Sequence, residues 1–158
     1  PSRKTNETMI YVQISENISA PEEVSVLERA AKQTLQQTSA SEADLCIVLT
    51  DDEQLRQLNS QFLGVDAPTD VLSFPDGEVD PDTGLPYLGD VLICVPRAQA
   101  HATAGGHPLT SELQLLVVHG VLHLLGHDHA EPDEKARMWQ IQAEILTQIG
   151  CSITSPDS

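Results

Sequence analysis

Apolar residues recur along the chain with two different periods. In residues 9–15 (MIYVQIS), Ile10, Val12 and Ile14 fall at alternate positions, the period of a half-buried strand. From Pro21 to Gln37 the period lengthens, so that Val24, Leu27, Ala31 and Leu35 share one helical face. Pro21-Glu22-Glu23 sets acids at the positive end of that helix dipole. The apolar run 43–49 (ADLCIVL) predicts a second strand. Thr50-Asp51-Asp52 then caps a helix carrying Leu55, Leu58 and Phe62, which Gly64 ends.

Asp70 to Phe74 predicts a third strand stopped by Pro75, and Leu88 to Val95 a fourth stopped by Pro96, with an acidic turn region, Asp76 to Tyr87, between them. Residues 97–104 (RAQAHATA) predict a short helix closed by Gly105-Gly106. Ser111 and Gln114 then have capping-box spacing at the head of Leu113 to Leu125. That run is apolar nearly all round, the mark of a helix buried in a core. A final amphipathic helix runs from Pro132 to Ile149, with Met138, Ile141 and Ile145 inward and Gly150 as its stop. No internal repeat is visible. The pattern predicts one α/β (α+β) domain over residues 9–150, with a mixed sheet of about four strands and helices packed on it. Polar tails flank it at 1–8 and 151–158.

Composition narrows the function. The 158 residues suit one core rather than two, and 40% hydrophobic with 20% charged residues excludes a disordered chain. Eight Lys and Arg stand against 24 Asp and Glu, a net charge of -16, the opposite of the footprint of a duplex-binding protein. No DNA partner is expected. Aromatic residues, at 3%, are too few for a base-stacking platform. Cys46, Cys94 and Cys151 are odd in number and lack a CxxC pair, so they are read as reduced core thiols. No apolar run is long enough to span a bilayer, and a cytoplasmic location is the expectation.

The chemistry concentrates in one stretch. Four of the six histidines, His119, His123, His127 and His129, fall together, two of them inside the most hydrophobic helix. An isolated histidine there would read as a hydrogen-bonded core residue. His119 and His123, four apart, share one helix face and can reach one metal ion. Gly126 can turn left-handed and return the chain so that His129 completes a triad. Imidazole ligands suit zinc, and three of them leave a position open for water, as in a catalytic site. One zinc per chain is expected, another divalent ion being the alternative. His127, just past Gly126, is left out of the set. Asp128 either orients a ligand imidazole, handles a proton at bound water, or is an ordinary loop acid. The spacing also matches the metzincin proteases, but their general-base Glu is replaced here by Gly120, which argues against a metallopeptidase.

The stretch His119-Gly120-Val121-Leu122-His123-Leu124-Leu125-Gly126-His127-Asp128-His129 resembles the motif of the YbeY family of ribosomal-RNA maturation endoribonucleases. Pro68-Thr69-Asp70-Val71-Leu72-Ser73-Phe74-Pro75 and Leu88-Gly89-Asp90 resemble two further blocks, so the likeness runs over roughly residues 9–149. It implies a small mixed α/β domain, zinc on the three histidines, and hydrolysis of single-stranded RNA. It also implies a place in small-subunit rRNA 3′-end maturation and late ribosome quality control, with the ribosome and assembly-associated proteins as partners. A non-catalytic assembly factor that keeps zinc for stability is the rival reading. No Lys or Arg occurs between Arg97 and Lys135, so the metal would be the chief positive charge nearby.

The family usually carries an Arg where this chain has Leu63. Arg56, two turns earlier on nearly the same helix face, either substitutes in an extended cleft or is a solvated surface residue. Ser73 lacks a G-x-S-x-G surround and is read as a structural hydroxyl. Asp70 and Asp90 either hydrogen-bond the histidine helix, line the cleft or support the fold. The low positive charge and Leu63 together predict weak binding of free RNA with a shallow salt dependence. Leu63→Arg should rescue affinity if the cleft matches the family's. Tight, steeply salt-dependent binding by the wild type, unchanged by Leu63→Arg, would contradict this placement of the RNA.

Overall fold

The structure, a computed structural model, describes residues 9–16, 18, 24–38, 43–63, 70–127 and 131–151. Among these the order is β1 (Ile10–Ile14), α1 (Val24–Gln37), β2 (Asp44–Thr50), α2 (Asp52–Leu63), β3 (Val71–Pro75), β4 (Tyr87–Cys94), α3 (Val95–Gly105), α4 (Leu109–Leu124) and α5 (Pro132–Gln148). The sheet order is β1-β2-β4-β3, with β1, β2 and β4 parallel and β3 antiparallel at the edge. The expected single α+β domain with a mixed four-stranded sheet is thus what the chain forms. The predicted helix start at Pro21-Glu22-Glu23, the stop at Gly64, residues 1–8 and residues 152–158 lie outside the described residues.

Alternation along the strands sorts the helices onto two faces. Leu45, Ile47, Leu49, Val91 and Ile93 point into a core shared with α1, α4 and α5. Leu72, Leu92 and Cys94 point the other way, against Leu55 of α2. α4 is the most enclosed of the helices: Leu113, Leu115, Leu116, Val117, Val118, Val121, Leu122 and Leu124 are all buried. Each such side chain contributes about 1.5–3 kcal/mol when withdrawn from water, which explains why a run apolar on every side settles as a central helix. No helix among the described residues is long and apolar enough to cross a membrane.

Four local expectations are corrected. Pro96 does not merely stop a strand. It sits in the first turn of α3, where its missing N–H is no loss, so β4 passes directly into the helix. Ser111 and Gln114 form no capping box, because α4 begins two residues earlier. Pro108 is the N-cap, and its carbonyl already accepts the Ser111 N–H at 3.1 Å and the Glu112 N–H at 3.3 Å. Cys151 is no part of a tail. It is buried in the main core, and its N–H reaches the Leu146 carbonyl at 2.9 Å. Asp44, read as part of an apolar run, is buried, accepts the Met9 N–H at 2.7 Å and is bonded by the Thr83 hydroxyl. Burial raises its carboxyl above the usual range. With Asp80, which accepts the Tyr11 hydroxyl at 2.8 Å, it pins the acidic turn region to the sheet.

Gly120 sets how closely α4 approaches the sheet. A Cβ there would stand 2.5 Å from Val91 Cγ1 and 3.4 Å from Ser73 Oγ. Alanine would gain about 1 kcal/mol in helix propensity but cost about 1–3 kcal/mol in overpacking. Since Val91 is stiff at χ1 and fully buried on an interior strand, the clash should prevail. Gly120→Ala should lower stability, and a double-mutant cycle with Val91→Ala in denaturant unfolding should show favourable coupling of at least about 0.5 kcal/mol. Strict additivity would contradict this contact.

Candidate metal centre

The site forms where the C-terminal half of α4 meets α5. His119 and His123 lie one turn apart on α4, both half-buried, with their Nε2 atoms 3.2 Å from each other. The rings meet edge to face, centroids 4.7 Å apart at 74°. Two imidazoles so placed bring two nitrogen donors to one point.

The helix is held from both sides. On the sheet side, the Ser73 hydroxyl donates to the Gly120 carbonyl at 2.9 Å, next in sequence to His119. This is the structural hydroxyl expected of Ser73. On the opposite side, Gln142 of α5 is buried, with Oε1 2.9 Å from His119 Nδ1. Its Nε2 has no hydrogen-bond partner among the described residues. Trp139, one turn earlier on α5, meets His119 edge to face with centroids 5.7 Å apart. The Lys135 ammonium stands 5.8 Å from the Trp139 ring centroid, a cation–π distance.

α4 ends as the sequence predicts. Gly126 has φ +96°, its N–H reaches the His123 carbonyl at 3.0 Å, and the His127 N–H reaches the Leu122 carbonyl at 3.0 Å. This pair of bonds is a Schellman motif, and it turns the chain immediately after the histidine pair. His129 and Asp128 lie outside the described residues. The two histidines that are described fit a metal by the chemistry of the donors: imidazole nitrogens that converge near the C-terminal end of a helix.

Other candidates go elsewhere. Arg56 is exposed on α2, on the opposite face of the sheet from α4, and lines a surface concavity of about 440 Å³ with Glu53, Gln57, Ser60 and Gln61. No described contact brings it to the histidines. Leu63 closes α2, and its side chain is outside the described part. Asp70 is taken up by α3, with Oδ1 2.9 Å from Arg97 Nε and Oδ2 3.2 Å from His101 Nδ1. Asp90 is bonded by the Tyr87 hydroxyl. Of the alternatives for these two acids, the described contacts therefore favour fold support over a bond to α4. His107 stands 2.7 Å from Glu112 at the head of α4. All three cysteines are buried outside any disulfide, and burial pushes the Cys46 and Cys94 thiols up to about 11, which leaves them inert.

Gln142, Trp139 and Lys135 are the residues of the site that the sequence reading passes over. A signal for Gln142 exists, since it stands four residues after Met138 and three before Ile145 on the inward stripe of α5. The structure buries Met138, Gln142, Ile145 and Leu146 there, and leaves Ile141 only partly buried.

Comparison with known proteins places these features in context. The family profile described as Endoribonuclease YbeY matches residues 10–150. A Chloroflexus aurantiacus protein named Endoribonuclease YbeY is 46% identical over 153 residues, 90% of this chain and 97% of its own. A Roseiflexus castenholzii protein of the same name is 41% identical over 152 residues, 92% and 96% of the two chains. A Thermotoga maritima protein solved in solution superposes with a TM-score of 0.59 at 26% identity, covering 89% of each chain. If the α4 pair holds metal, His123→Ala should abolish tight zinc binding in calorimetry, while His127→Ala should retain most of it. Equal loss in both variants would mean that the helix end, and the third ligand with it, is wrongly assigned.

Proposed function

Because this chain belongs to the YbeY endoribonuclease family, whose members are RNA-cleaving hydrolases, we propose that it hydrolyses single-stranded ribosomal RNA with one zinc ion held by His119, His123 and His129. The observation that carries this reading is the convergence of the His119 and His123 Nε2 atoms, 3.2 Å apart, on one face of a buried helix. When bound there, a divalent ion supplies Lewis acidity toward water and toward a phosphoryl oxygen.

The protein's own residues do the rest. Ser73 and Val91 fix the backbone of α4 beside His119, so the donors are held before any substrate arrives. Trp139 covers one edge of His119 and limits water there. Lys135, one ring removed from His119, is a cation placed to meet an RNA phosphate. Asp128, next to the third ligand, is the candidate for carrying a proton. Gly120 offers no carboxylate, and the space beside it is filled by Val91, so peptide hydrolysis of the metzincin kind has no base.

The setting that fits this chemistry is cytoplasmic: small-subunit rRNA 3′-end maturation and late ribosome quality control, among ribosomal and assembly-associated proteins. In a preparation shown free of contaminating nuclease, the zinc-loaded protein should cleave single-stranded RNA, lose that activity to a chelator, and leave unstructured peptides intact. Lys135→Ala should weaken RNA binding and reduce its salt slope by about one. Full zinc binding without turnover would favour the non-catalytic assembly factor, and robust peptide cleavage would favour the peptidase.

A further inference from the structure

We propose that Gln142 is the positioning residue of the metal centre, fixing the tautomer of His119 so that its Nε2 presents a bare lone pair. The argument starts from burial. Gln142 is fully enclosed on α5 between Met138, Ile145 and Leu146, a place where a polar side chain is costly unless it is hydrogen-bonded. One of its two polar atoms, Nε2, is left without a partner among the described residues, so internal satisfaction does not explain the residue. Leucine or methionine would fill the same space without the orphan.

The other polar atom explains it. A carbonyl oxygen only accepts, so Oε1 at 2.9 Å requires that His119 carry its hydrogen on Nδ1. A neutral imidazole has one N–H, which leaves His119 Nε2 as an acceptor. That atom faces His123 Nε2 at 3.2 Å. In the metal-free protein a hydrogen on His123 Nε2, donated to His119, satisfies that contact. The reversed amide would place its NH2 against Nδ1 and move the His119 proton to Nε2, the atom meant to bind metal. An amide also does this without adding charge. A carboxylate would orient the ring equally well but would offset part of the ion's positive charge in a protein already at -16.

The metal-binding role rests on the zinc reading above, whereas the tautomer does not, so the test separates them. Nitrogen-15 NMR of the metal-free protein, above the ordinary imidazole titration range, should show His119 protonated on Nδ1 and His123 on Nε2. Gln142→Met, similar in volume but lacking the acceptor, should shift His119 toward the Nε2–H form without loss of thermal stability. Gln142→Glu should restore Nδ1–H. Zinc affinity should fall about 10- to 100-fold in Gln142→Met and recover in Gln142→Glu. A wild-type His119 protonated on Nε2, or a tautomer unmoved by Gln142→Met, would overturn the proposal. A correct tautomer with no zinc binding in the wild type would uphold the positioning of His119 and sink only the metal reading.

Discussion

The close approach of α4 to the sheet at Gly120 is the constraint on which the remaining geometry depends. The absence of a side chain lets the helix settle against Val91, and the Ser73 hydroxyl bonds the Gly120 carbonyl at 2.9 Å across that contact. With one side of the helix fixed in this way, His119 turns toward α5, where Gln142 and Trp139 receive it, and His123 meets His119 one turn on. The same glycine that deprives the chain of a protease-like base therefore provides the packing that aims its histidines.

Much of this was legible in the residues themselves. Alternation in MIYVQIS and helical spacing around Met138 gave β1 and α5 close to their observed limits, and the hydrophobicity of Leu113 to Leu125 announced a buried helix. What escaped had identifiable causes. Ser111 has capping-box spacing in the sequence, but Pro108, with its fixed φ of -66°, starts the helix earlier. Buried polar residues sit at apolar positions: Asp44 within a strand run and Gln142 on the inward stripe of an amphipathic helix. Both are tolerated only through specific partners from distant parts of the chain, a property that periodicity does not encode.

Charge gives the site its character. The ligands proposed for the ion are imidazoles, the residue proposed to orient His119 is a neutral amide, and Arg97 is committed to Asp70. Lys135 on Trp139 is a cation that sequence spacing could not associate with the pair. In an acidic protein, such an uncharged ligand shell would leave the full charge of the proposed ion available to attract a phosphodiester, which would reconcile a net charge of -16 with an RNA substrate.

The central claim is that a sheet-anchored helix presents converging imidazoles as the metal centre of an RNA hydrolase. X-ray absorption at the zinc edge of the stoichiometrically loaded protein tests it most directly. The account predicts a first shell of light donors with the multiple-scattering pattern of about three imidazoles and no sulfur. A sulfur shell, or a spectrum lacking imidazole scattering altogether, would contradict it.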